Sequence, residues 1–291
     1  MYSLTVENHR GERLRLTQNP NYAVIDIDGL NPPKANVNVG ENANFDGATF
    51  MSSRLNTRNI VVSIVPLNNV EKNRIALYQY FNAKKECTLY FSNGKRSVYI
   101  KGYVNNFAFD LFSKNGSDYE TIQVSIICPD PYFRDINQTQ FVFSHVIDMF
   151  EFEMDIPEDG VVLSAESGTA QNIVMNEGDV ETGFLLRVHV NGNASAPTIE
   201  NRTTGEKLKI YGDYSGRYNA GDEIYISTVK GNKYAYEFHN GKRRDLLNNI
   251  DWYLSTWVSL DIGINNMLFS AAVGEDNFDA VIEYDNLYEG V

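Results

Sequence analysis

Apolar and polar residues alternate along much of the chain, a pattern that predicts short, half-buried strands. The stretch from Glu120 to Ile127 shows it clearly, because apolar side chains, several of them β-branched, recur at every second position. Later in the chain, shorter alternating runs are separated by turn signals such as Asn191-Gly192 and Asn240-Gly241. These runs are 141–143, 150–154, 185–190, 208–211, 224–226, 234–238 and 281–284. Evenly spaced strands with such turns favour an antiparallel β-sandwich in the second half of the chain.

The first half has the signals of an antiparallel sheet. A hairpin is predicted at Asn93-Gly94, because this dipeptide supplies the positive φ values that a tight turn needs, and a further turn is predicted at Asn115-Gly116. Strand-like runs lie at 4–8, 13–17, 22–29, 60–65 and 104–109. The predicted fold is therefore mainly β: an N-terminal antiparallel β domain with one α-helix, followed by a C-terminal β-sandwich of the galectin-like or carbohydrate-binding-module-like kind.

The helix is predicted from about residue 68 to residue 83. Asn68 is placed to cap it, Glu71 suits the positive N-terminus, and Lys84-Lys85 suits the negative C-terminus. The apolar residues that fall on one face, and that should pack on the sheet, are Val70, Leu77, Tyr78 and Phe81.

Residues 31–58 interrupt this strand pattern. They are rich in Asn, Gly and Pro, with only Val37 and Val39 alternating, and so predict a long loop. Loops of this length in a compact domain tend to be functional or to embrace another molecule. Arg54 and Arg58, near the end of the stretch, have no catalytic neighbours in sequence and are predicted to be interface or surface arginines.

The stretch Cys128-Pro129-Asp130-Pro131-Tyr132-Phe133 is predicted to connect two domains. Each proline removes a backbone donor and restricts the residue before it, so sheet pairing cannot continue through Asp130. Tyr132 and Phe133 are interpreted as aromatic anchors that pack the rigid connector down. Domains usually hold ~100 to 200 residues, so the 291 residues divide into domains at 1–133 and 134–291.

Composition excludes several classes of protein. A net charge of −13 argues against wrapping nucleic acid, since that affinity depends on Lys and Arg. The chain begins without a signal-like segment and contains no apolar run near the ~20 residues of a membrane span, which predicts cytoplasmic synthesis without membrane insertion. Cys87 and Cys128 lie in separate strand-like runs and are predicted to be reduced core thiols.

Chemical motifs are sparse. The histidines stand far apart in sequence, at His9, His145, His189 and His239, without the spacing of a metal site. Asp26 and Asp28 lack the further ligands of a calcium loop, so Asp28-Gly29 is interpreted as a turn. No nucleophile elbow or phosphate-binding loop is present in the sequence. No catalytic residue, metal ligand or cofactor is therefore predicted.

The tryptophan-containing stretch leaves two interpretations open. Trp257-Val258-Ser259-Leu260 alternates like a core strand, which favours a core position for Trp257. Asp251-Trp252-Tyr253-Leu254-Ser255 looks like a loop edge, and Trp252 could serve either packing or a sugar platform, which would need it exposed.

Several segments together, in their order and spacing, resemble the siphophage distal tail protein (Dit) family. In the first half these segments are Asp46-Gly47-Ala48-Thr49-Phe50, Thr57-Arg58-Asn59-Ile60, Glu71-Lys72-Asn73-Arg74, Leu77-Tyr78-Gln79-Tyr80-Phe81 and the connector from Cys128 to Phe133. In the second half they are Gly178–Phe184, Gly221–Thr228, Trp257-Val258-Ser259-Leu260, Gly263-Ile264-Asn265-Asn266 and Tyr288-Glu289-Gly290-Val291. The resemblance therefore spans nearly the whole chain.

The resemblance implies a structural, non-enzymatic virion protein at the tip of a phage tail. It implies a hexameric ring, formed by the first domain, that joins the tail tube to the host-adhesion apparatus, with the second domain pointing outwards. The implied partners are further copies of the chain, the tail tube protein, a tail-associated hub or tip protein, and receptor-binding or baseplate proteins. DNA would pass through the lumen without sequence-specific contact, and acidic side chains lining the lumen would repel it.

Two other classes of function remain open at this stage. A carbohydrate-binding adhesin module would recognise host cell-wall glycan through its β-sandwich, since that fold alone does not settle function. An exoenzyme would need paired carboxylates, which meet in space and are not visible in sequence.

Overall fold

The computed structural model describes residues 2–41, 46–110, 120–143, 146–148, 164–166, 171–211 and 217–291. The chain divides into two compact units. Unit 1 comprises residues 1–136 together with 287–291, and unit 2 comprises residues 137–286. Most strands pair with an antiparallel neighbour, and the described residues contain one α-helix. The predicted mainly β fold, with its helix in the first half of the chain, is confirmed.

Unit 1 is built on one antiparallel sheet. Its first strands and its helix are β1 (Ser3–Glu7), β2 (Arg13–Arg15), β3 (Tyr22–Asp28), β4 (Ala35–Glu41), β5 (Ala48–Leu55), β6 (Arg58–Pro66) and α1 (Val70–Tyr80). They are followed by β7 (Glu86–Ser92), β8 (Ser97–Asp110), β9 (Thr121–Cys128) and β10 (Phe133–Asp135). The main path of the sheet is β2-β1-β7-β8-β9-β6-β3, and β4 pairs with β5 in a separate two-stranded sheet. The predicted Asn93-Gly94 hairpin joins β7 to β8, with Gly94 at φ +86°.

Side chains from distant strands of this sheet share one core. Val6 of β1, Val62 of β6 and Val124 of β9 all belong to it, and all three are fully buried. Irregular pairing in β3 and β8 lets the sheet bend around that core. The strand predicted at 104–109 is the second half of the long strand β8. The turn predicted at Asn115-Gly116 lies outside the described residues.

The helix is shorter than predicted, and its first turn is built differently. The residue before it is Asn69, without a side-chain capping bond, whereas Asn68 has φ +56° and donates its amide to the Pro20 carbonyl. Leu77 and Phe81 are buried as predicted, but Tyr78 is 42% exposed. Asn73 instead faces inward, where its amide donates to the Leu67 carbonyl at 2.7 Å. The apolar periodicity did not predict that Asn73 is buried, because a polar residue is assigned to the exposed face of a helix unless its hydrogen-bond partner is known.

The proline connector does not lead directly out of unit 1. After Cys128 ends β9, Phe133 is 1% exposed and begins β10, which pairs with β8. The chain returns from unit 2 at the short strand β23 (Leu287–Tyr288), which pairs with β10. The predicted domain limits, 1–133 and 134–291, therefore differ from the observed units in residues 134–136 and in the last five residues.

Unit 2 contains two larger sheets that face a common core, together with a separate two-stranded sheet. Its strands are β11 (Thr139–Val142), β12 (Val146–Asp148), β13 (Ser164–Glu166), β14 (Gln171–Asn176), β15 (Phe184–Val190), β16 (Thr198–Asn201), β17 (Glu206–Lys209), β18 (Glu223–Ser227), β19 (Tyr234–His239), β20 (Lys242–Asp245), β21 (Gly263–Ser270) and β22 (Phe278–Tyr284). One sheet has the order β11-β22-β15-β18-β19-β20, and the other has the order β14-β21-β16-β17. Leu186 and Ile282 of the first sheet and Phe269 of the second lie in one buried cluster, which makes this unit the predicted β-sandwich.

Several parts of unit 2 differ from the sequence prediction. Strands β12, β13, β14, β16, β20 and β21 were not among the predicted runs, and the run predicted at 150–154 lies outside the described residues. Residues 257–259 belong to no strand, and Leu260 makes an isolated bridge with Thr182. Trp257 packs against the core but keeps part of its surface exposed, while Val258 and Leu260 are buried.

Candidate functional site: an apolar hairpin and its anchor

Residues predicted to form a long loop are instead a two-stranded hairpin of β4 and β5. Ala35 pairs with Leu55 at its root and Glu41 pairs with Ala48 near its tip, with an irregularity beside Val39. Asn, Gly and Ser are common in this stretch and favour turns, but cross-strand hydrogen bonding overrides that preference. The prediction of a long loop at residues 31–58 was therefore wrong.

The two faces of the hairpin differ in chemistry. Directly opposed residues of an antiparallel pair point to the same side, so the register places Val37, Val39 and Phe50 on one face. The opposite face carries Asn36 with Arg54 and Asn38 with Ser52. The hairpin is therefore amphipathic, although its sequence looked irregular.

The apolar face of the hairpin is open to solvent. Val37 is 52% exposed, Val39 is 50% exposed and Phe50 is 63% exposed. Met51, at the irregularity beside Gly40, is 65% exposed. An isolated two-stranded hairpin is marginally stable in water, and contiguous exposed apolar side chains mark interaction sites. This face has the composition of a surface that another molecule covers.

Arg58 lies at the root of the hairpin and is 3% exposed. Its Nε donates to the Pro131 carbonyl at 2.6 Å, its Nη1 donates to the carbonyls of Gly29 and Asn31 at 2.5 and 2.8 Å, and its Nη2 donates to the Glu289 carbonyl at 2.6 Å. Burial lowers the pKa of the guanidinium from its usual value. The prediction of a surface or interface arginine was wrong for Arg58, while Arg54 is exposed on the hairpin.

The Arg58 contacts fasten three segments at one point. Gly29 and Asn31 precede β4, Pro131 lies in the connector, and Glu289 lies in the last residues of the chain. The guanidinium carbon also lies 4.6 Å from the centre of the Phe133 ring, a cation–π contact. A fork of five donors suits this position because it can bond several carbonyls at once. The position of the exposed hairpin thus depends on a buried anchor.

The C-terminal residues are held to unit 1 by further contacts. Arg96 donates to the Gly290 carbonyl at 2.9 Å and stacks on the ring of Tyr288, 4.3 Å from its centre. The Tyr288 hydroxyl donates to Asp135 at 3.0 Å, and the Val291 amide donates to the Leu30 carbonyl. No local sequence signal predicts this return, because each contact joins residues far apart in the chain.

The two cysteines are buried, free thiols in the first sheet. Cys87 pairs with Gly102 on β8, and a Cβ atom at Gly102 would lie 2.8 Å from the Cys128 sulfur on β9. Strands lie ~4.8 Å apart, so cysteines two strands apart exceed the Cα separation of a disulfide. Burial raises the pKa of each thiol to about 12, which makes both unreactive near neutral pH.

The histidines are not brought together as a site. His9 and His189 are exposed in different units, and His239 donates from Nδ1 to the Asp222 carboxylate at 2.7 Å. His145 lies outside the described residues. Among the described residues, no group of three or more His, Cys, Asp or Glu side chains could hold a metal ion. Asp28 accepts a bond from the Gly29 amide at 2.8 Å, which is a turn contact.

Two further surface features are candidate functional sites, one aromatic and one ionic. Trp252 is 48% exposed and Tyr253 is 94% exposed on a loop of unit 2. A shallow groove in unit 1 is lined by Glu7, Arg13 and Tyr90, which bond to one another. No helix among the described residues is long and apolar enough to span a membrane.

Two family profiles match the sequence. The profile of the phage tail protein RIFT-related domain matches residues 9–128, and that of the siphovirus-type tail component, C-terminal domain, matches residues 177–288. Together they account for most of the chain and correspond in position to the two units. No curated protein matches the sequence.

Two solved phage structures have a similar fold. The crystal structure of the Dit protein of phage SPP1, described as a paradigm of the hub adsorption apparatus of phages that infect Gram-positive bacteria, matches with a TM-score of 0.66 and 13% identity over 99% of both chains. A chain of the phage P2 baseplate in its activated conformation with Ca matches with a TM-score of 0.52 and 11% identity over 100% of both chains. At these identities the likeness concerns the fold.

Proposed function

Because the chain belongs to the siphophage distal tail protein family, whose members are structural components of the phage tail, we propose that it forms a hexameric ring joining the tail tube to the host-adhesion apparatus. The ring is formed by unit 1. Its neighbours in the virion are the tail tube protein, a hub or tip protein, and baseplate or receptor-binding proteins. The role is architectural, without catalysis or a cofactor, and the chain is made in the host cytoplasm before assembly.

The observation that carries this proposal is the exposed apolar face of the β4–β5 hairpin. In a ring, each hairpin lies against the neighbouring copy of unit 1, which covers Val37, Val39 and Phe50. Head-to-tail contact is what ring symmetry requires, since the surface that binds differs from the surface that is bound. Among the described residues the hairpin forms a two-stranded sheet apart from the main sheet of unit 1, and it therefore supplies one half of such a contact.

Charge favours a conduit for DNA. The chain carries a net charge of −13, and acidic side chains around a lumen would repel a passing phosphate backbone. Lumen-facing Lys and Arg in an assembled ring would contradict this part of the proposal.

A matched pair of variants tests the ring and the hairpin together. Ser52 and Ser53 are neighbours on β5, both exposed, and the register places Ser53 on the apolar face and Ser52 on the polar face. Ser53→Asp puts a charge into the proposed contact, and Ser52→Asp puts the same charge on the other side. Native mass spectrometry and negative-stain images, with and without purified tail tube protein, should show rings of six for the parent and Ser52→Asp but not for Ser53→Asp. A single-chain mass for the parent under every condition, or equal assembly of both variants, would refute the proposal.

A further inference from the structure

Exposed aromatic and apolar side chains cluster on one loop of unit 2. Trp252 is 48% exposed, Tyr253 is 94% exposed and Leu254 is 50% exposed, at successive positions of one turn. Tyr211, 41% exposed, lies against the same loop, because its amide donates to the Asn249 carbonyl. Exposing four large side chains to water in one place is unfavourable, and such clusters mark sites that another molecule covers.

The indole of Trp252 is held in place although it is half exposed. Its Nε1 donates to the Leu247 carbonyl at 3.0 Å, and its ring lies 5.5 Å from that of Trp257, which packs against the core. The backbone turn beneath it is closed by a bond from the Leu254 amide to the Asp251 carbonyl at 3.0 Å. A ring fixed before binding loses little conformational entropy when a ligand stacks on it.

Polar groups surround this aromatic surface. The Asp251 carboxylate accepts a bond from the Tyr211 hydroxyl at 3.0 Å. The Lys209 ammonium lies 5.1 Å from the centre of the Tyr211 ring, and the Lys233 ammonium lies 5.3 Å from that of Trp257. The site therefore combines an aromatic face with a hydroxyl, a carboxylate and ammonium groups, which can donate to or accept from hydroxyl groups.

We propose that Trp252, Tyr253, Tyr211 and Asp251 form a saccharide-binding site. A pyranose ring presents a C–H face that packs on an aromatic ring and a rim of hydroxyls that bond to the carboxylate and the tyrosine hydroxyl. A protein partner fits less well, because binding hot spots lie in fully desolvated pockets and desolvating Asp251 and Lys209 would be costly. The proposal concerns unit 2 alone and does not depend on the ring.

Tryptophan fluorescence is a specific probe of this site. The protein's two tryptophans are Trp252 and Trp257, so tryptophan fluorescence reports on this cluster alone. Titration with a panel of N-acetylglucosamine oligomers, a soluble glucan and poly(glycerol phosphate) should give a saturable change in emission with at least one of the saccharides. Trp252→Ala lacks one of the two fluorescent reporters, so its binding is measured by isothermal titration calorimetry, which should show no binding to that saccharide. A response to poly(glycerol phosphate) alone would assign the site to a polyanion and overturn the proposal.

A second variant separates binding from folding. Tyr253 is almost fully exposed, so Tyr253→Ala removes a ligand contact without removing packing. We expect about tenfold weaker binding, which corresponds to about 1.4 kcal/mol. Tyr2→Ala, at a 66% exposed tyrosine of unit 1, serves as the control and should bind like the parent. No saturable response to any member of the panel, or unchanged affinity in both loop variants, would also overturn the proposal.

Discussion

The buried anchor at the root of the hairpin can be removed by Arg58→Met. Methionine keeps much of the length of arginine but donates no hydrogen bond, so the carbonyls of Gly29, Asn31, Pro131 and Glu289 all lose a charged donor. Hydrogen bonds to charged groups contribute about 1.5–3 kcal/mol each. None of the four acceptor residues is itself buried, and water can replace part of the loss, so about 1 kcal/mol per carbonyl is the appropriate estimate.

One contribution favours the stability of the methionine variant. Burial lowers the pKa of the guanidinium, which shows that desolvating it has a cost that methionine does not carry. This relief offsets part of the roughly 4 kcal/mol of lost bonds, so unit 1 should lose about 3 kcal/mol of stability. The segments that separate first should be the C-terminal residues 287–291 and the roots of the hairpin.

Hydrogen exchange measured by mass spectrometry is the suitable assay, because it reports on each segment separately. We expect protection in peptides that contain Leu30 and Tyr288 to fall by about 100-fold, the factor that about 3 kcal/mol predicts. Arg54→Met is the matched control, since Arg54 is exposed on the hairpin and its loss should change stability by less than about 0.5 kcal/mol. Equal effects of the two substitutions, or unchanged protection in Arg58→Met, would refute the reasoning.

Other predictions concern the core of unit 1. Gly102→Ala should destabilise it by about 2 kcal/mol, because the added carbon would lie 2.6 Å from an Ile126 methyl and 2.8 Å from the Cys128 sulfur; an unchanged melting temperature would contradict this. Thiol reagents should leave Cys87 and Cys128 unmodified at pH 8 until denaturant is added, since both pKa values are raised to about 12. Unfolded thiols have a pKa near 9 and the folded ones a pKa near 12, so stability should fall with rising pH across that window. The slope should flatten in a double Cys→Ala variant.

Sequence alone determined the parts of the fold that depend on local pattern. The alternation from Glu120 to Ile127 predicts β9 to within a residue at each end, because one face of that strand is buried and the other is less so. The hairpin at Asn93-Gly94 follows from the backbone preference of two residues. The presence of an antiparallel sandwich in unit 2 follows from strand spacing, which requires no knowledge of which strands are neighbours.

Tertiary structure decided the rest, since its causes lie far apart in the chain. The β4–β5 hairpin was missed because most residues of its two strands are exposed, so burial left no clear alternation in its sequence. Arg58 looks like a surface residue until four distant carbonyls converge on it, and the return of residues 287–291 to unit 1 depends on partners more than 100 residues away, such as Asp135. An aromatic loop is likewise ambiguous in sequence. Only the folded chain shows that Trp257 packs on the core while Trp252 and Tyr253 face the solvent.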